Sequence, residues 1–197
     1  VKGRIRRLAF DQNKNLWLGT QDGLYQMKPD GIRRFDRSNG FSQNVVSDLF
    51  IDREQQLWLA MTGGDGIFRY AGDTFEQYDE STGLPTASVM SICRDSAQQI
   101  WVGTYGGGLA RLGKQGFEAL RLPPAGAQRI NSIIADHSGS LWVGTEGMGL
   151  WRYQQGKFTQ LLNTKDGLPQ GVVLNLYEDR AQRIWIGTPT GIMRYDS

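Results

Sequence analysis

The stretch DHSGSLWVGT, residues 136–145, decides the fold because the chain repeats its pattern four more times. In every copy an aspartate precedes a tryptophan by six residues; the aspartates are Asp11, Asp52, Asp95, Asp136 and Asp179. The corresponding tryptophans are spaced 41 or 43 residues apart, at Trp17, Trp58, Trp101, Trp142 and Trp185. A period of this length, built from short apolar runs and glycine-rich turns, is typical of four-stranded blades in a β-propeller.

Each repeat predicts four antiparallel strands, A to D. Strand A is the apolar run that ends at the aspartate, strand B carries the tryptophan, and strand C is a segment of the type GLxRY. Strand D is short and is expected to begin at Phe35, Phe75, Phe117 and Phe158. We expect the tryptophans to form a layer between blades, because repeat proteins bury one continuous core through equivalent positions. The aspartates are expected to accept backbone N–H groups in the A–B turns.

A polar residue recurs four positions before each of these aspartates, on strand A. The row consists of Arg7, Asp48, Ser91, Ser132 and Asn175. Polar residues that recur on the innermost strands predict a wet central channel.

We interpret the 197 residues as one all-β propeller domain with repeats at about 4–45, 46–88, 89–129, 130–172 and 173–197. The fifth repeat lacks its outer strand, which favours an excerpt of a larger propeller over an imperfectly closed five-bladed ring. Its strand C, residues 191–195, would then be an unpaired edge, and we expect self-association there.

Composition excludes several classes of function. The net charge of +2 comes from scattered residues, so neither nucleic acid nor an anionic membrane is an expected partner. The apolar runs are too short to insert into a membrane. Cys93 and His137 are the only residues of their types, and they are far apart in sequence. We therefore predict no catalytic residue, no metal site and no cofactor.

The B–C and D–A loops, which emerge on one face of a propeller, differ in length and chemistry between repeats. The A–B and C–D turns of the opposite face are nearly uniform and predict a scaffold. Binding is normally built from variable loops on a rigid frame. The candidate ligand-binding residues on the variable face are Asn44, Asp65, Tyr105, Arg129, Glu146, Met148 and Thr190.

The motif DxxxxLWLGT…GLxRYxxGxFxxY…GLPxxxV resembles the two-component regulator propeller repeat. The GLP element occurs at residues 83–85 and 167–169, whereas repeat 1 has Gly40-Phe41 there and repeat 3 has PPAGAQR. The resemblance implies an extracytoplasmic or periplasmic sensor domain. In that family a β-sandwich, a transmembrane helix and a histidine kinase or diguanylate cyclase follow, and some members detect carbohydrate fragments.

Three hypotheses on function remain open from the sequence. The first is a ligand-binding sensor of a membrane-bound signalling protein, which takes a small molecule such as an oligosaccharide on the B–C/D–A face and works with output domains of the same polypeptide. The second is a propeller enzyme, either a lyase or a glycosidase. The third is a protein-interaction scaffold.

Overall fold

The computed structural model of the chain describes residues 1, 3–39, 41, 45–72, 74–123 and 128–195. These residues form nineteen β-strands in five sheets, each of which is one blade. Blade 1 contains β1 (Ile5–Phe10), β2 (Leu16–Thr20), β3 (Gly23–Lys28) and β4 (Gly31–Phe35). Blade 2 contains β5 (Val46–Ile51), β6 (Leu57–Met61), β7 (Ile67–Ala71) and β8 (Thr74–Tyr78).

Blade 3 contains β9 (Val89–Arg94), β10 (Ile100–Thr104), β11 (Gly108–Gly113) and β12 (Gly116–Leu120). Blade 4 contains β13 (Ile130–Ala135), β14 (Leu141–Thr145), β15 (Leu150–Gln154) and β16 (Lys157–Leu162). Blade 5 contains β17 (Asn175–Glu178), β18 (Ile184–Thr188) and β19 (Gly191–Tyr195). Short 3₁₀ segments lie between blades at Arg37–Asn39, Glu80–Thr82, Thr164–Asp166 and Pro169–Gly171.

Every sheet is antiparallel and follows the order of the chain, so strands A, B, C and D lie side by side in sequence. This confirms the predicted all-β propeller, with four strands in blades 1 to 4 and three in blade 5. One boundary was predicted wrongly: Phe35 ends strand D of blade 1 rather than beginning it. Its ring is fully buried and stacks on Trp17, so burial of the aromatic decided its place in the strand.

The predicted tryptophan layer between blades is confirmed. Trp17 packs with strands β5 to β7 of blade 2, and Trp58, Trp101 and Trp142 pack in the same way against the blade that follows each of them. All four rings are buried, while Trp185 of blade 5 is half-buried. Burial of such large rings at every junction makes the blades one continuous core.

A glycine on strand B explains how closely neighbouring blades approach. A Cβ atom at Gly103 would lie 2.4 Å from Ile130, and one at Gly144 would lie 2.4 Å from Val173. A branched side chain from strand A of the next blade therefore fits into the space that glycine leaves. At Gly187 of blade 5, the nearest atom would be Asn175 Cβ at 3.4 Å, within the same sheet.

The polar row on the A strands forms hydrogen bonds between blades. The Asp48 carboxylate accepts Arg7 Nε at 2.9 Å and Ser91 Oγ at 2.9 Å, and Arg7 also donates to Asn175 Oδ1 at 3.1 Å. Ser91 and Ser132 are buried and accept backbone N–H groups of the next blade. The prediction that all five line a wet channel is therefore wrong for these two serines, whose hydroxyls join blades.

Among the described residues, no helix is long and apolar enough to cross a membrane.

Candidate functional site

The variable face is held in shape by the threonine that ends strand B. Thr104 Oγ1 donates to the Gly108 carbonyl at 2.8 Å and accepts the Gly107 N–H at 3.2 Å. Thr145 makes the same pair of bonds with Gly149 and Met148. Because the buried hydroxyl closes the B–C loop onto itself, the residues inside each loop are held outward on a fixed frame.

The next backbone N–H ties each loop to the residue that directly precedes strand A of its own blade. Tyr105 N donates to Ser88 O at 2.9 Å, and Glu146 N donates to Arg129 O at 2.9 Å. Tyr105 also forms an isolated antiparallel β-bridge with Arg129, although the two residues belong to blades 3 and 4. The start of one loop and the entry to the next blade are therefore adjacent at the inner edge of this face.

Three of the predicted ligand-binding residues are brought together there. The Arg129 guanidinium carbon lies 5.0 Å from the centroid of the Tyr105 ring, a cation–π geometry. Tyr105 is 39% exposed, and Arg129 and Glu146 are also exposed. An aromatic face, a cation and a carboxylate thus share one surface patch, which we call the mouth patch and define as Tyr105, Arg129 and Glu146.

The other predicted residues lie elsewhere on the same face or have packing contacts. Asp65 is half-buried in the B–C loop of blade 2, and its carbonyl accepts Gln77 Nε2. Met148 packs against the apolar core between blades 3 and 4, and its carbonyl accepts Trp151 Nε1 and Gln160 Nε2. Thr190 is exposed in blade 5. Asn44 lies outside the described residues.

The opposite face contains an arrangement that sequence reasoning missed. In all five repeats the Asp carboxylate accepts the indole N–H of the tryptophan six residues later, at donor–acceptor distances of 2.7–3.1 Å. The other carboxylate oxygen accepts the backbone N–H four residues after the aspartate, as predicted for an A–B turn. The unvarying spacing of six residues was the signal that could have revealed the indole bond.

These hydrogen bonds change the acidity of the aspartates. Burial opposes ionisation of Asp11 and Asp136, but hydrogen bonds from Asn15 to Asp11 and from Trp142 to Asp136 outweigh it and lower both pKa values. At Asp179 the indole of Trp185 is the main cause of a lowered pKa. The turn aspartates with lowered pKa values are therefore structural anions.

The Asp-turn face also contains two cavities between blades. One, of about 270 Å³, lies between blades 1 and 2, and the other, of about 230 Å³, lies between blades 4 and 5. At the second, His137 of blade 4 contacts the Glu178 carboxylate of blade 5 through both its backbone N–H and its ring Nδ1. The half-exposed side chain of His137 therefore joins two blades.

Groups suited to metal binding or nucleophilic chemistry are sparse. Within the described ranges, no three His, Cys, Asp or Glu side chains lie close enough to hold a metal ion. Cys93 packs against the core between blades 3 and 4, and desolvation raises the pKa of its thiol. A thiol held in its neutral form is a poor nucleophile, so Cys93 packs as a small apolar residue.

Comparison with solved structures places the chain among β-propellers. It aligns with the extracellular domain of BT4673 from B. thetaiotaomicron at TM-scores of 0.78 and 0.79 and identities of 25% and 23%. That protein is described as a one component system in one structure and as a hybrid two component system in the other. The alignments cover 98% of this chain but 27% of that extracellular domain, so the chain spans about a quarter of its length.

A second structural similarity is to a protein of a different class. Virginiamycin B lyase from Staphylococcus aureus aligns at a TM-score of 0.73 and 14% identity, over 96% of this chain and 68% of the lyase. At that identity the likeness concerns the fold alone. No curated protein sequence matches the chain.

The family comparison identifies the repeats. The model of the two-component regulator propeller matches residues 83–106, 125–147 and 157–190, which include the GLP elements and the Asp-to-Trp segments of blades 3, 4 and 5. These are the motifs that carried the predicted resemblance. The matched segments therefore confirm the predicted resemblance of this chain to the two-component regulator propeller family.

Proposed function

We propose that this chain is the ligand-sensing propeller of a membrane-anchored bacterial signalling protein, that it lies on the periplasmic or extracytoplasmic side, and that it binds a small molecule on the B–C/D–A face. The family match and the likeness to the extracellular domain of BT4673 support the sensor class and the location. An oligosaccharide is the ligand class that we favour. Output domains of the same polypeptide would receive the signal.

The observation that carries the proposed site is the pairing of Tyr105 with Arg129. The guanidinium fixes the Tyr105 ring in a half-exposed position, so the ring is held ready without being buried in the core. Aromatic faces stack on the apolar faces of sugar rings, and the charged groups of Arg129 and Glu146 can orient hydroxyl groups. The mouth patch therefore suits a polar, hydroxyl-rich ligand.

The position of the mouth patch also suits signalling. Tyr105 belongs to blade 3, whereas Arg129 enters blade 4, and a β-bridge joins them. A ligand can shift a conformational equilibrium only if its affinity differs between the two states. A ligand that contacts both residues would favour one geometry of this junction, and the change in geometry would be transmitted to an attached domain.

The experiment is a thermal-shift screen of neutral oligosaccharides, followed by calorimetric titration of each hit with variants. Tyr105→Ala and Arg129→Gln should each weaken binding by about 1–3 kcal/mol, as expected for central contact residues. Arg111→Gln is the matched control, because Arg111 lies on the strand C of blade 3 and pairs with Glu118 on the opposite half of the blade. Its affinity should equal that of the wild type.

Two outcomes would contradict the proposal. If Tyr105→Ala and Arg129→Gln bind every hit as the wild type does, the mouth patch is not the binding site. If a bound saccharide is converted to product by the purified chain, the propeller-enzyme hypothesis replaces the sensor hypothesis.

A further inference from the structure

The cavity between blades 1 and 2 lies on the Asp-turn face, away from the mouth patch. Its floor is apolar and aromatic, with Trp17, Leu57 and Tyr70, and its walls carry the carboxamides of Gln12, Asn13 and Gln55. Lys28 and Arg33 also line it. Carboxamides donate and accept hydrogen bonds at once, so such walls can pair with hydroxyl groups of either polarity.

The positive charge of this cavity has no counterpart in the neighbouring blades. In blades 2 and 3, the residues paired across strands C and D at this level are Arg69 with Glu76 and Arg111 with Glu118, and both form ion pairs. The equivalent pair in blade 1 is Gln26 with Arg33. In blade 1 the cation, Arg33, therefore lies on the outer strand D, and its cross-strand partner is the neutral amide of Gln26 instead of a carboxylate.

Neither Lys28 nor Arg33 forms an ion pair within the part of the chain that the structure describes. Arg33 stacks its guanidinium 4.6 Å from the centroid of Phe35, which fixes the group but leaves its charge uncompensated. Asp11 is the carboxylate in the lining, and it already accepts hydrogen bonds from Asn13 N, Asn15 N, Asn15 Nδ2 and Trp17 Nε1. Its oxygens are engaged by the turn.

The equivalent cavity between blades 4 and 5 provides an internal comparison. Arg152 in that cavity occupies the position equivalent to Gln26, since each residue pairs with the tryptophan of its own blade across strands B and C. Glu178 stands in place of Ile51, because each directly precedes a turn aspartate. The cation of that cavity is accompanied by a second carboxylate, so the blade architecture does not by itself create a cationic cavity.

We propose that the cavity between blades 1 and 2 binds a small hydroxylated carboxylate. The ligand's carboxylate would contact Lys28 and Arg33, where charge-assisted hydrogen bonds are stronger than neutral ones. Its hydroxyl groups would pair with the Asn13 carboxamide and with Gln55 Nε2, since Gln55 Oε1 already accepts Gln12 N at 3.0 Å. The inference is independent of the proposed function, because the mouth patch lies on the other face and contributes no residue to this cavity.

The test compares gluconate with sorbitol, which differ only in that a carboxylate replaces a hydroxymethyl group, by titration calorimetry at constant ionic strength. Gluconate should bind at least about tenfold more tightly, the size expected for one charge-assisted hydrogen bond. Lys28→Gln should weaken gluconate binding by about the same factor. The double variant Gln26→Arg/Arg33→Glu recreates the ion pair of blades 2 and 3 and should lose gluconate binding while its thermal unfolding stays unchanged.

Two controls keep the test specific. Lys114→Gln removes one positive charge from the C–D hairpin of blade 3 and should leave gluconate affinity unaltered, as should Tyr105→Ala in the mouth patch. The proposal is overturned if the wild type does not bind gluconate, if sorbitol binds equally well, or if the folded double variant retains the wild-type affinity. Since the oligosaccharide screen depends on Tyr105 and this test does not, either proposal can fail without the other.

Discussion

At the scale of single residues, the turn aspartate does more than close a turn. Asp136 accepts Ser138 N, Ser138 Oγ and Ser140 N through Oδ1, and Trp142 Nε1 through Oδ2. The indole ring is buried, so its N–H needs an acceptor inside the protein. The aspartate therefore fixes the orientation of the ring that covers the next blade.

The first prediction concerns this bond. Asp136→Ala should lower the free energy of unfolding by about 2–3 kcal/mol, because it removes a charge-assisted bond and leaves a buried donor unpaired. Trp142→Phe, which removes the donor together with its partner bond, should make a further Asp136→Ala change less costly. A double-mutant cycle in urea measures the difference. Strictly additive losses would show that the aspartate and the indole are not coupled.

The second prediction follows from the lowered pKa values of Asp11, Asp136 and Asp179. Aspartates of the unfolded chain have a pKa of about 4. Because the pKa values of these three groups are lower in the folded state, their ionised forms stabilise the folded protein. Their stabilisation is complete above that pH and is lost as the pH falls through the lower pKa values of the folded state. Urea unfolding at pH 7 and pH 3 should show the loss, and Asp136→Asn should show a smaller one. Equal losses in both proteins would exclude this aspartate as a contributor.

At the scale of the strand, the glycine of strand B sets the distance between blades. Gly144 faces Val173 of the next blade, whereas Gly187 faces no residue of another blade within the described chain. Blade 2 has Ala60 at this position, fully buried in the same apolar cluster as Val89, so this junction accommodates a methyl group. The two glycines therefore form a matched pair for mutagenesis.

The third prediction uses that pair. Gly144→Ala should destabilise the protein by about 1–3 kcal/mol, the usual cost of overpacking a tight contact. Gly187→Ala should be neutral or stabilising by up to about 1 kcal/mol, because it only reduces the freedom of the unfolded chain. Chemical denaturation of both variants measures the two changes in the free energy of unfolding. A similar loss of stability in each would show that packing against the next blade is not the reason for glycine at this position.

Strand identity was readable from the sequence because each strand carries one strong local pattern, such as the aspartate and tryptophan of the A–B hairpin. Apart from the tryptophan layer, the contacts that depend on a neighbouring blade were not readable from the sequence. The pairing of His137 with Glu178 joins residues 41 positions apart, and neither turn contains a sequence pattern that predicts it. The exchange of Gln26 and Arg33 for an Arg–Glu pair becomes visible only when the register of strands C and D is known. The cluster of Tyr105, Arg129 and Glu146 was predicted residue by residue, but their contacts needed the structure.

At the scale of the whole molecule, the polar row links all five blades through their inner strands. Asp48 is its most heavily engaged member, since its carboxylate accepts Arg7 Nε, Leu49 N, Ser91 Oγ and Ile92 N. Blades 1, 2 and 3 therefore share a single charged acceptor. Along the rest of the row, Ser91 and Ser132 accept the amides of Ile133 and Leu176 in the following blades.

The fourth prediction tests this acceptor. Asp48→Ala should cost about 3–5 kcal/mol, as for a partly buried ion pair that loses one partner, and it should leave Arg7 without its main acceptor. Ser132→Ala, which removes one neutral acceptor elsewhere in the row, should cost about 1–2 kcal/mol. Equilibrium unfolding monitored by tryptophan fluorescence compares them. A smaller loss for Asp48→Ala than for Ser132→Ala would contradict the central role of the carboxylate.

The bond from Arg7 to Asn175 joins residues 168 positions apart, whereas the side-chain hydrogen bonds between adjacent blades span 40 to 44 positions. Closing a long loop costs more entropy than closing a short one, and repeat proteins can start to fold at any unit and propagate to its neighbours. Successive blades can therefore assemble by short closures, and we expect the link between the first and fifth blades to form last. Because a contact that forms after the rate-limiting step slows unfolding without hastening folding, we expect Arg7 to lengthen the lifetime of the folded chain and to leave its folding rate unchanged.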